Sequence, residues 1–526
     1  MTGAARRDVL IGAGAIALAA ATAPWSRGAL AQKTHSLRES EWDYGAIKDL
    51  QAALRARKIS ALELTDRAIA RIETADRRVN AVVARDFERA REAAKAADIA
   101  LSRGERGALL GVPTTVKESF DIVGLPTTWG DPQFKRFMPR EDAVVVARLK
   151  NAGAVILGKT NVPLMLSDWQ TYNDIYGTTN NPWNLRLTPG GSSGGSAAAL
   201  ACGFGPLSIG SDRGGSLRAP AHYCGVYAHK PTSGLVPNRG LTPPGAPPLP
   251  RDCDLGVIGP MARSAADLAL ALDVIAGPDE ERAGFRLALP SARHDRLKNF
   301  RVLVIDTHPL GRTASVVRAA VGRLSERLVR AGAKLAHASP LLPDLAESAR
   351  LYVRLLSAFW GADLRPSVYA RLRGAAATLS PRNRSLAAER MRGAVISHRD
   401  WLAADGARSA LRERWRELFR EWDVVLCPAM PTPAFPHDHS PIESRRIEID
   451  GRSCAYLDAQ IVWAELATTA GLPATVAPID RTESGLPIGV QIIGPYLEDR
   501  TTIGFAELLE REFGGFAPPP DLCATH

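Results

Sequence analysis

The sequence predicts an α/β protein: a single large domain with a central, mixed β-sheet covered by α-helices on both faces. Two observations carry this. Short apolar, β-branched runs recur along the chain, and segments of helical periodicity fall between many of them. A third supports it: a hydrophobic content of 45 % against 23 % charged residues in 526 residues supplies a large core.

In chain order, residues 44–57 place Ile47, Leu50, Ala53 and Leu54 at helical spacing. Ser60 and Glu63 make a capping-box pattern that opens a second helix, with Leu64, Ile69 and Ile72 on one face. Residues 79–84 read as a strand and 87–102 as a charged, alanine-rich helix. A strand-like run over 111–116 ends on Lys117 and Glu118; 142–151 is helical and 154–157 a buried strand. Further strands are predicted at 207–209, 302–305, 424–426, 474–477 and 488–493, with helices such as 264–275 and 314–331 between them. The proline-rich stretch 243–250 reads as a loop, because the segments on both sides are equally core-forming. Residues 340–420 are helical and arginine-rich, and read as a cap or substrate-facing insertion. There is no internal repeat.

The N-terminus reads differently. Arg6 and Arg7 precede an uncharged apolar run over 9–23, and Ala29-Leu30-Ala31 offers a cleavage site before Gln32. This order matches a bacterial export signal of the twin-arginine type over residues 1–31. The run is shorter than the ~20 residues of a spanning helix. Cleavage is therefore expected, with a periplasmic product; an uncleaved signal would anchor the chain facing the periplasm. Cleavage would remove Arg6, Arg7 and Arg27 against Asp8, lowering the net charge from +10 to +8. The remaining basic residues are interspersed with acids and aromatics make up only 6 %, which argues against a nucleic-acid groove. Six cysteines show no CxxC spacing, and their pairing stays open.

The chemistry concentrates in residues 188–218, where two Gly/Ser clusters, 190–196 and 214–216, flank an alanine-rich apolar segment. Glycine lets backbone approach a ligand closely, and serines on tight turns suit a nucleophile and its oxyanion donors. The apolar segment argues against a flexible linker. Two short patterns fail on context. Gly153 to Thr160 matches a phosphate-binding loop, but 154–157 is itself the strand and Pro163 stands where the helix should form. Gly191 to Gly195 matches a nucleophile elbow centred on Ser193, but a polar, proline-containing loop precedes it. None of His294, His308, His337, His398, His437 or His439 has a distinctive context as its partner. A Ser-His-Asp hydrolase is the alternative reading. His437 and His439 lack further ligands at metal-binding spacing.

A longer pattern resembles the amidase signature family of serine hydrolases. It comprises the 188–218 stretch, Gly111-Val-Pro-Thr-Thr-Val-Lys117-Glu118 with Asp121, residues 152–161, and Tyr176 to Asn184. It continues through Cys224-Gly225, Lys230-Pro231-Thr232, Gly259 to Arg263, and the late segments 423–433, 471–477 and 485–494. The resemblance runs from about residue 50 to 510 and is weakest over 280–420, which it implies is a variable, substrate-facing part of one domain over 32–526.

It implies a Ser–Ser–Lys triad: Ser216 as nucleophile, Ser192 as bridging serine after a cis peptide bond, and Lys117 as base. The 24 positions between the serines select Ser192 over Ser193. It further implies an oxyanion hole from the backbone N–H groups of Arg213, Gly214, Gly215 and Ser216. Supporting roles fall to Ser193, Asp212 and Arg218, the last tying the loop to a buried carboxylate. Thr188 and Ser211 read as turn or strand residues. Tyr352, Leu355, Phe359 and Trp360 are the expected apolar lining of the acyl pocket.

The activity implied is amide hydrolysis through an acyl-enzyme, with no cofactor and no metal. The alternatives within the family are ester cleavage and the glutaminase-like subunit of an amidotransferase. The expected partner is a small-molecule amide, with no nucleic acid and a membrane only through an uncleaved signal; a homodimer stays open. Two departures stand out. Arg213 replaces a small or β-branched residue, and residues 161–166 lack the family's usual acid.

Overall fold

In the computed structural model, residues 42–247 and 253–520 are described. The expected export signal at residues 1–31 and Cys523 lie outside them. The strands are β1 (Val82–Arg85), β2 (Pro113–Lys117), β3 (Val155–Thr160), β4 (Tyr172–Asn173), β5 (Gly177–Thr178), β6 (Leu207–Asp212), β7 (Tyr227–Lys230) and β8 (Val257–Ala262). There follow β9 (Arg301–Val304), β10 (Lys334–Ala336), β11 (Val424–Pro428), β12 (Arg446–Ile449), β13 (Arg452–Ala455), β14 (Ala474–Arg481) and β15 (Pro487–Ile493).

Eleven of them form one sheet in the order β1-β3-β2-β6-β8-β7-β14-β15-β11-β9-β10. The sheet is mixed. β3, β2 and β6 run parallel to one another, as do β11, β9 and β10, and the pairs between them are antiparallel.

Strand alternation explains the layers. Val302, Val304, Val424 and Leu426 belong to one hydrophobic cluster, while Leu303, Ile305, Val425 and Cys427 belong to another. Successive side chains point to opposite faces of a sheet, so each strand feeds both cores. On one face Val321, Leu324 and Leu328 of helix Ser315–Arg330 join Leu268 and Leu272 of helix Ala265–Ile275. On the other, Val353 of helix Leu345–Gly361 joins Trp415 of helix His398–Glu421. The predicted capping box is present: Ser60 Oγ accepts from Glu63 N at 3.0 Å, and Glu63 accepts from Ser60 N at 2.8 Å.

Helices Leu345–Gly361, Pro366–Ala377, Leu386–Ala394 and His398–Glu421 fill the arginine-rich stretch predicted to be helical. Among the described residues no helix is long and apolar enough to cross a membrane. Cys224, Cys253, Cys427 and Cys454 carry free thiols.

The register of two strands positions the site. β2 pairs parallel with β6, Val116 opposite Ile209, and every residue of both is buried. Lys117 and the Ser211–Asp212 pair therefore meet at the carboxyl ends of adjacent parallel strands, where open α/β sheets form their ligand crevices.

Candidate active site

Lys117 is fully buried. Its Nζ donates to Ser192 Oγ at 2.6 Å and to Ser211 Oγ at 3.0 Å. Burial pulls this amine down to about 7; Asp212 opposes the shift and Arg213 adds to it. The desolvated ammonium is the disfavoured form, which makes a neutral, proton-accepting lysine accessible near physiological pH. Ser211, expected only as a strand residue, is thus a direct neighbour of Lys117.

Ser192 follows a cis peptide bond from Gly191. Immediately after it, helix Gly194–Ala201 starts and is buried along its whole length. Only a residue without a Cβ fits at Gly195, where an added Cβ would lie 2.4 Å from Asn161 N. Ser193 N donates to Ser216 O at 3.1 Å, which stitches the first Gly/Ser cluster to the second. Ser193 Oγ faces the backbone of Ser211, at 3.3 and 3.4 Å, and is fully buried, so it does not form an exposed elbow. The loop lysine of the rejected phosphate pattern, Lys159, sits on β3 and donates to Pro126 O and Thr127 Oγ1.

The Ser216 loop is held from below and from the side. Asp212 accepts from Gly215 N at 2.9 Å, from Leu217 N at 3.0 Å, and from Arg218 Nε and Nη2 at 3.0 and 2.8 Å. Burial alone would push the Asp212 carboxyl up, but Arg218 and these N–H groups hold it at about 2. Arg218 is completed by Gln491 Oε1, Thr468 Oγ1 and Ala464 O. This ion pair is buried on both sides, so removing one partner strands a charge. Asp212→Ala is expected to lower unfolding free energy by about 3–5 kcal/mol in urea titration. A loss below about 1 kcal/mol would contradict the anchoring role.

Two further side chains, which no motif marks, grip the same loop. Tyr352 Oη donates to Arg213 O at 2.6 Å, and Trp169 Nε1 donates to Gly214 O at 2.7 Å. Gly215, at φ +96°, makes the turn that leads into Ser216. Its N–H is already donated to Asp212, so it is not aimed at a bound ligand as the family resemblance implies. The N–H groups of Arg213, Gly214 and Ser216 remain as oxyanion candidates.

Ser192, Ser211, Arg213, Gly214 and Ser216 border one cavity of about 1190 Å³. Helix Leu345–Gly361 supplies Val353, Leu356, Phe359 and Trp360 to its wall. Phe359 and Trp360 are therefore where the sequence puts them. Tyr352 and Leu355 are not: both are fully buried on the core side of the helix. Arg213 also borders the cavity, with its guanidinium 3.7 Å from the centre of the Phe359 ring. The histidines stand apart; His294 pairs with Asp423 and His439 stacks on Tyr172. Among the described residues no group of three or more acidic, histidine or cysteine side chains has metal-binding geometry.

The fold and the site define an α/β domain built around a buried lysine and the serines it touches. The chain belongs to the amidase signature family: the Amidase family profile matches residues 63–503. It is 34 % identical over 506 residues to the A subunit of the glutamyl-tRNA(Gln) amidotransferase of Anaeromyxobacter sp. (strain K), covering 90 % of this chain and 97 % of that one. A solved structure from a vestigial complex, described as revealing the origins of an s-triazine catabolic enzyme, is 32 % identical with a TM-score of 0.74. The match covers 89 % of this chain and 98 % of that one. A bacterial aryl acylamidase of the amidase signature family also superposes with a TM-score of 0.74, at 25 % identity over 90 % and 96 % of the two chains.

Proposed function

We propose that Ser216, Ser192 and Lys117 hydrolyse a carboxamide through an acyl-enzyme on Ser216. One observation carries the reading: a dehydrated lysine held at about 7 touches Ser192 at 2.6 Å, on the wall of the cavity that Ser216 also borders. Neutral Lys117 takes the proton of Ser192 as Ser192 takes that of Ser216, whose Oγ attacks the amide carbon. The oxyanion is met by N–H groups of Arg213, Gly214 and Ser216. The relay then reverses. The proton goes to the leaving nitrogen, the C–N bond breaks, and the amine or ammonia departs. Water repeats the attack on the ester, releasing the carboxylate and restoring the Ser216 hydroxyl.

A fluorophosphonate label followed by peptide mapping tests this. Labelling is expected at Ser216 and is expected to vanish in Ser216→Ala; a label on Ser193 that persists in that variant would revive the elbow reading.

A second reading is specifically favoured by the curated relatives: the glutamine-hydrolysing component of an amidotransferase. These relatives support it more directly than they support a free amidase. Favouring the free enzyme are the signal-like residues 1–31 and a cavity larger and more apolar-walled than a glutamine side chain needs. Purified chain that turns over simple amides, and whose exported form begins at Gln32, supports the free enzyme. Glutamine hydrolysis appearing only on adding amidotransferase partner subunits supports the other.

A further inference from the structure

Among the described residues, Arg213 is the cation on the cavity wall that lacks a carboxylate. Its guanidinium carbon lies over the Phe359 ring, 3.7 Å from the ring centre, and 5.5 Å from that of Trp360, and Nη2 donates to the thiol of Cys253. Its Nε is buried with no hydrogen-bond partner among the described residues. The other arginine on the wall, Arg390, is paired with Asp458. The buried and half-buried carboxylates bordering the cavity are all committed elsewhere: Asp168 to Arg445, Asp212 to Arg218 and Asp254 to Arg408. Asp363 and Glu443 stand on the exposed rim.

Arg213 is half-buried; a partly desolvated cation without a counter-ion carries a cost that contact with an aromatic ring offsets only in part. The guanidinium fork is pre-organised by that contact, and it sits three residues from Ser216. With Nε buried and one Nη2 hydrogen on Cys253, the Nη1/Nη2 edge is the one that can meet a carboxylate by two parallel N–H···O bonds.

We propose that Arg213 is a specificity-determining residue which selects amides whose acyl part carries a carboxylate. The substrate class is the half-amide of a dicarboxylic acid: an apolar spacer against the Val353, Leu356 and Phe359 wall, with an anionic end on Arg213. This rests on the amide-hydrolase reading and narrows its substrate. An α-ammonium group, as in glutamine, finds no uncommitted buried carboxylate among the described residues bordering the cavity. Free glutamine is therefore a poorer ligand than a simple dicarboxylate.

The test compares adipic acid mono-anilide with hexananilide, which differ in the terminal carboxylate. The wild-type enzyme is expected to prefer the anionic substrate in kcat/KM by about ten- to a hundredfold, the range of one charge-assisted hydrogen-bonded pair. In Arg213→Gln that ratio is expected to fall to near one. Calorimetry of adipate, hexanoate and glutamine binding to both proteins reads the same selectivity without turnover. Equal wild-type affinity for adipate and hexanoate, a preference that survives in Arg213→Gln, or glutamine binding tighter than adipate would each overturn the proposal. Failure of the underlying hydrolase reading looks different: fluorophosphonate then does not label Ser216, whatever the calorimetry shows.

Discussion

Ser216→Ala is expected to lower kcat by about 10⁴–10⁶-fold, the scale on which loss of a serine nucleophile acts in other serine hydrolases. The substitution removes one hydroxyl from a half-buried position, and no side-chain hydrogen bond of the loop scaffold is lost with it. The loop stays held by Asp212, Trp169 and Tyr352, so unfolding free energy is expected to move by less than about 1 kcal/mol. Ser192→Ala should be milder, about 10²–10⁴-fold, because it breaks the proton relay but leaves the nucleophile. The double variant should be little worse than Ser216→Ala, since groups that act as one unit are not additive. Turnover measured with a chromogenic anilide on folded protein decides this. Retention of even a hundredth of wild-type kcat in Ser216→Ala would require a different nucleophile.

Much of this architecture is legible in the chain, and the exceptions have physical causes. β2, β3, β9, β11, β14 and β15 announce themselves as apolar, β-branched runs because both their faces are buried. β7 (Tyr-Ala-His-Lys) and β8 (Val-Ile-Gly-Pro-Met-Ala) do not, although both lie mid-sheet and are fully buried. Their polar and helix-breaking residues are accommodated by neighbours: His229, for one, bonds Thr475 and Asp499. The Gly/Ser clusters around 192 and 216 stand out by composition and the family resemblance singles out Lys117, Ser192 and Ser216, yet the contact between Lys117 and Ser211 follows from the register of β2 against β6, which no local pattern encodes. The same limit applies to helix Leu345–Gly361. Its periodicity is plain, but which stripe meets the cavity depends on how the helix is rotated. Val353 and Leu356 face the cavity while Tyr352 turns inward to the Ser216 loop. Arg213 is conspicuous as a departure from the family pattern, and its orientation is decided by an aromatic ring 146 residues further on.

Lys117 gives the second large effect, and pH reveals it. The neutral amine is the active form, so kcat/KM is expected to rise tenfold per unit below about pH 7 and to level off above it. The direction follows from the cause: burial disfavours the ammonium and lowers its pKa, and protonation below that value removes the base. A second buried lysine complicates the assignment. Lys230, which donates to Pro231 O, is likewise brought to about 7 by burial and by Arg218. Its amine donates to a backbone carbonyl and not to Ser192, so Lys230→Met should leave the acidic limb in place, whereas Lys117→Met should cost about 10³–10⁴-fold and abolish it. Fluorophosphonate labelling rates extend the measurement to slow variants, because labelling needs only the activated Ser216 hydroxyl. Arg213→Gln supplies the remaining check. Removing that positive charge relaxes the pressure on the Lys117 ammonium and should move the limb to higher pH. A limb that persists in Lys117→Met and disappears in Lys230→Met would transfer the base from one lysine to the other.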